Sequence, residues 1–160
     1  MSAVILSGCN KFTAPDSEEA LIKKAFRALK NSSWEDYESV TITSADIQLK
    51  KMGISKFKAR QSFTGGVQKE IEIKKQRRDF DKAVSMDDPD YIDFSEEALK
   101  YISKGRLIKS SEQRLLTGGS IPVKVYAARV KTGGQEFDDL PPYFKITKWK
   151  GRDYLLGLEF

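Results

Sequence analysis

A chain of 160 residues suffices for one domain that buries roughly two-thirds of its unfolded surface, and an apolar content of 39% with nine Phe, six Tyr and two Trp is too rich for a disordered segment. The absence of histidine excludes Ser-His-Asp and Cys-His catalysis and a histidine-based zinc site, and the single cysteine excludes an internal disulfide or a thiolate cluster. The net charge of +5 is uneven, with ten basic residues against three acidic ones between Gln48 and Asp79, and seven against Glu112 alone between Lys104 and Lys131. That asymmetry predicts either a basic face for polyanions and anionic headgroups or an ordinary solvated surface.

At the start of the chain an apolar scrap, Ala3-Val4-Ile5-Leu6, runs into Leu6-Ser7-Gly8-Cys9. These residues resemble the lipobox of bacterial lipoproteins. The resemblance implies a lipid anchor on Cys9 and a place in the bacterial envelope, facing the periplasm or the cell surface. It also implies that most of a secretory signal is missing, because no basic segment precedes an apolar stretch this short. Residues 1–16 then read as signal remnant and flexible tether, and residues 17–160 as a single domain.

The first periodic segment runs from Ser17 to Lys30. Leu21, Ala25 and Leu29, flanked by Ile22 and Phe26, form one stripe, and Lys23, Lys24, Arg27 and Lys30 take the other side. Asp16 with Glu19 has the spacing of a capping box. Ser33 is placed to cap a short second helix bearing Trp34 and Tyr37, and Ser44 to cap a third with Ile47 and Met52 inward and Gly53 at its end.

From Lys56 two readings compete. Phe57, Ala59, Gln61 and Phe63 alternate with polar residues, Thr64-Gly65-Gly66 suits a turn, and Val67, Lys69, Ile71 and Ile73 alternate beyond it, which predicts a hairpin. A helix from Gly66 to Val84, using Val67, Ile71, Phe80 and Val84, explains the same residues, and beyond Arg77 the helix is the better account. Met86 to Tyr91 reads as a loop. Ser95 then caps a helix carrying Ala98, Leu99 and Ile102 inward until Gly105.

The last third reads as strands at Leu107 to Leu116, Ile121 to Lys131, Tyr143 to Lys150 and Tyr154 to Phe160, an antiparallel meander. The three Thr-Gly-Gly triplets at 64–66, 117–119 and 132–134 read as turns. Helices first and sheet last predict an α+β domain with helices on one sheet face. This order resembles the nuclear transport factor two-like and cystatin-like superfamily. The resemblance implies N-terminal helices packed on a strongly curved antiparallel sheet, a pocket at the mouth of the cone and dimerisation across the sheet.

No catalytic constellation is readable, so the chain reads as a non-enzymatic envelope lipoprotein domain. Its partner is then an envelope protein, a peptide or a cell-wall component. A soluble polyanion or nucleic-acid module and a small pocket enzyme using Asp and Tyr chemistry are the rivals. Candidate anion contacts are Lys74, Lys75, Arg77 and Arg78; candidate pocket residues are Asp36, Tyr37, Tyr126 and Tyr143. The acidic group Asp87, Asp88, Asp90, Asp93, Glu96 and Glu97 lacks the glycine and terminal glutamate of an EF-hand loop and reads as a turn and helix start. No cofactor or metal is implied.

Overall fold

The structure, a computed structural model, describes residues 17–51, 63–86, 96–115 and 119–160. The lipobox-like segment with Cys9, the proposed strand at 56–62 and the aspartates at 87–93 lie outside them.

Helix α1 (Glu18–Lys30) begins one residue later than the capping box proposes: Ser17, not Asp16, is the cap, its hydroxyl oxygen accepting from the Ala20 N–H at 3.2 Å. Its stripe is as the periodicity predicts, with Leu21, Ile22, Ala25, Phe26 and Leu29 buried. Each of the larger side chains contributes about 1.5–3 kcal/mol by leaving water. Helix α2 (Trp34–Ser39) starts where Ser33 accepts from Asp36 N–H. In α3 (Ser44–Lys51) the cap moves to Thr43, whose hydroxyl oxygen accepts from Asp46 N–H at 3.1 Å. Ser44 becomes the first helical residue and is freed for a distant partner.

Of the two readings beyond Phe63 the structure takes the helix: α4 (Phe63–Ser85) is one helix of 23 residues. It replaces the hairpin reading over 63–75 and absorbs Thr64-Gly65-Gly66, so that triplet is not a turn. Val67 and Ile71, spaced four apart, fit a helix as well as a strand. What decides is the far side of the helix, where Gln76, Phe80 and Ala83 are buried. The helix after Ser95 is short, α5 (Glu96–Leu99), although Leu99 and Ile102 are buried as predicted. Gly105, at φ +63°, is required where it stands: a Cβ there would lie 2.1 Å from the Ala127 carbonyl oxygen.

The strands are β1 (Leu107–Arg114), β2 (Ser120–Ala127), β3 (Val130–Thr132), β4 (Gln135–Phe137), β5 (Tyr143–Trp149) and β6 (Arg152–Glu159). They form an antiparallel sheet in the order β1-β2-β5-β6 and a separate β3-β4 ribbon. The ribbon turns on Gly133-Gly134, both at positive φ, with Thr132 opposite Gln135. That two-residue turn accounts for the third Thr-Gly-Gly.

The α+β class is as expected, but the superfamily resemblance is corrected. Both sheets are open and uncurled, without the strongly curved sheet that cystatin-like and nuclear transport factor two-like folds require. Nor do the helices occupy one face. Tyr126 stands opposite Phe144 and Lys124 opposite Ile146, so Tyr126, Phe144 and Ile146 share a face while Ile121 and Val123 turn to the other. Phe144 and Ile146 pack with Leu21, Ile22, Phe26, Tyr37 and Phe80 of the helices. Ile121 and Val123 pack with Ile42, Ile47 and Leu115. A sheet buried on both faces cannot bend around a single helical pair.

Candidate functional site

The two edges of the main sheet are treated differently, and this defines the site. At the β6 edge, residues 40–42 add a short parallel bridge: Ile42 N–H donates to Leu155 O at 2.9 Å and Leu155 N–H donates to Val40 O at 3.0 Å. The buried Gln76 of α4 completes the cover, its Nε2 donating to Ile42 O at 3.1 Å and to Leu156 O at 2.9 Å. An exposed strand edge is a template for pairing, and here it is closed by the protein's own backbone and one amide.

A polar latch holds α4 in that position. Glu72 accepts from the Ser44 N–H at 2.7 Å and the Ser44 hydroxyl at 2.5 Å, and Gln68 donates to it at 3.2 Å. A carboxylate at the start of α3 is favoured by the unpaired N–H groups and the helix dipole. Lys69 pairs with Asp46 at 2.7 Å. Beside the latch lies a cleft of about 290 Å³ between α4 and the sheet, lined by Ser44, Gln68, Glu72, Lys75, Gln113 and Lys145 among others. Several of its charges are already matched: Lys75 meets Asp79 at 2.6 Å, and Glu159 meets Lys109 at 2.9 Å.

β1, at the opposite edge, has only β2 as a strand neighbour among the described residues. It is exposed at every position except the half-buried Gln113. Leu107 and Ile108 are 47% and 40% exposed. Leu115 N–H donates to Gly119 O, so in the alternating antiparallel ladder the backbone groups of Ser111 and Gln113 face β2 and those of Ser110, Glu112 and Arg114 face outward. On the cleft side of the sheet, Lys109, Ser111 and Gln113 share a face with Lys145, as the register through β2 requires.

The four candidate anion contacts do not form one cluster. Lys75 turns to the cleft and Asp79. Arg77 pairs with Asp81 at 3.2 Å, and its guanidinium lies 5.1 Å from the Trp34 ring centroid. Lys74 and Arg78 stay exposed on the outer face, with no ion pair among the described residues. The basic segment from Lys104 to Lys131 is likewise drawn to distant acids: Lys104 and Lys124 reach Glu18 at 2.8 and 3.4 Å, and Arg106 lies 3.9 Å from Asp139. Linear charge asymmetry therefore overstates the basic surface.

The candidate pocket residues do not converge either. Asp36 is exposed beside a small hollow with Lys24, Arg27 and Ser39. Tyr37 is buried against Trp34 and Phe80, with ring centroids at 5.6 and 5.0 Å. Tyr126 is buried under Lys104, and Tyr143 donates to Asp139 O at 3.0 Å. Sequence reading passed over Gln76 and the pair Ser44–Glu72. The helical phase that places Gln76 with Phe80 and Ala83, inside a run of cations, is the one signal that would have found it.

The chain matches no family model, and comparison with curated proteins and with solved structures finds no significant similarity.

Proposed function

We propose that this is a non-enzymatic binding domain that takes an extended segment of a protein or peptide onto the open edge of β1. The observation that carries the reading is the contrast between the edges, β6 covered by residues 40–42 and Gln76 and β1 left with a row of outward N–H and C=O groups. Strand addition uses that row for affinity and alternate side chains for specificity. The lining predicts a polar strand with an apolar residue near Leu107 and Ile108. On this proposal the lipobox-like Leu6-Ser7-Gly8-Cys9 places the domain at a bacterial envelope on a lipid anchor, where the partner is an envelope protein or peptide. Cys9-dependent labelling by a fatty-acid analogue tests that placement.

Ser110→Pro removes an outward N–H while leaving the β1–β2 ladder its donors. Peptides selected from a random library on the wild-type domain should bind Ser110→Pro at least about tenfold more weakly, and should slow amide exchange at Ser110, Glu112 and Arg114. Equal binding to both proteins overturns the reading. A concentration-dependent dimer that Ser110→Pro abolishes, without peptide binding, would assign the edge to a second copy instead.

A further inference from the structure

The outer crest of α4 carries a second surface, independent of β1. At 100° per residue, Val67, Ile71, Lys74 and Arg78 fall within an arc of about 60°. The buried Gln76, Phe80 and Ala83 lie on the opposite side of the same helix. Val67 and Ile71 are 44% and 56% exposed, an unusual place for two adjacent aliphatic side chains on so charged a helix. One turn further along, Lys74 and Arg78 project from the same crest. Of the neighbouring acids, Asp81 is engaged by Arg77, and Glu70 sits at the flank of the arc. The crest is thus apolar toward its N-terminal half and cationic toward its C-terminal half, within roughly 17 Å of helix.

We propose that this crest docks the domain on a membrane surface bearing anionic headgroups. Lys74 and Arg78 match headgroup phosphates, and Val67 and Ile71 match the shallow apolar layer beneath them. Such a helix lies in the interface without spanning it. Among the described residues no helix is long and apolar enough to cross a membrane. A nucleic acid would use the cations but has no complement for the two aliphatics, and none of Val67, Ile71, Lys74 and Arg78 is an aromatic that stacks on bases. The docking is of the weak, reversible kind that works together with a second attachment.

The test is co-sedimentation of the full chain with vesicles of phosphatidylcholine alone and of phosphatidylcholine with one part in four phosphatidylglycerol. Binding should require phosphatidylglycerol and weaken as salt rises from about 50 to about 200 mM. At about 1 kcal/mol for each cation near the surface, Lys74→Gln with Arg78→Gln should weaken it about 30-fold. Val67→Ser with Ile71→Ser should also weaken it, and Ser110→Pro should leave it unchanged, which separates this surface from the β1 edge. Equal binding to both vesicle types, or binding insensitive to both double variants, overturns the proposal. So does loss of single-stranded nucleic-acid binding in the Lys74/Arg78 variant without any vesicle binding by the wild type.

Discussion

Glu18 illustrates how single residues redistribute the charge of this chain. Burial pushes its carboxyl up, yet the polar contacts with Lys104 and Tyr126 and the charges of Lys104 and Lys124 outweigh burial and hold it below its ordinary value of 4.5. A carboxyl depressed in the folded state stabilises the fold above its unfolded value, and that contribution is lost as the pH falls through the folded value. Glu18→Gln should therefore lower the unfolding free energy by about 1 kcal/mol at neutral pH. The difference from wild type should close in urea titrations repeated at progressively acid pH. Tyr37 presents the opposite case. Burial, and then the charge of Asp79, drive its ionisation far above the ordinary tyrosine range, and its hydroxyl has no hydrogen-bond partner among the described residues. A buried polar group without a partner is a cost, so Tyr37→Phe should be neutral or stabilise by up to about 1 kcal/mol, and should leave peptide binding intact. A loss of binding would instead show that the site depends on the core around Tyr37 and not on the β1 edge alone.

Among the elements, α4 does three things with two faces. Phe80 and Ala83 join the core, Gln76 and Glu72 fasten the β6 edge and the start of α3, and Lys74 and Arg78 stay in solvent. The fastening rests on few atoms, since one amide serves two backbone carbonyls. Gln76→Met keeps the bulk of the side chain and leaves both carbonyls short of a donor, so it should cost about 2 kcal/mol. Amide exchange at Ile42 and Leu155 should quicken more than exchange within β2, because the bridge at residues 40–42 loses its cover first. An equal increase throughout the sheet would mean that Gln76 supports global stability and not this edge.

For the whole molecule, the decisive fact is that the inner part of the sheet is buried on both sides, by Leu21, Phe26 and Phe80 against Phe144 and Ile146, and by Ile42 and Ile47 against Ile121 and Val123. Ile121→Ala and Ile146→Ala should each cost about 2–4 kcal/mol in chemical denaturation, and on opposite faces their costs should add to within about 0.5 kcal/mol. A sheet covered on one face alone would show a large loss for only one of them. The amphipathic stripe of α1, the Ser33 cap, the four strands of the main sheet and the glycines of the 132–134 turn were legible in the chain because each depends on neighbours within a few residues, whereas the β3–β4 ribbon falls where one long strand and a loop were expected. Hairpin and helix both stood open over 63–75 because Val67, Lys69, Ile71 and Ile73 satisfy a period of two and Val67 with Ile71 also satisfies a helical turn; only contacts from Gln76, Glu72 and Lys69 to residues 23 to 34 positions away choose between them. The choice between a basic face and an ordinary solvated surface was open in the chain for a related reason, since Glu18, Asp139 and Glu159 reach cations distant in sequence. Local periodicity and turn chemistry by themselves determined the α+β class and the antiparallel order of the C-terminal strands. The tertiary structure alone decided which sheet edge is closed, which cations stay exposed among the described residues and that the open sheet lies between two cores, because those properties come from pairings across the chain that no short window of sequence contains.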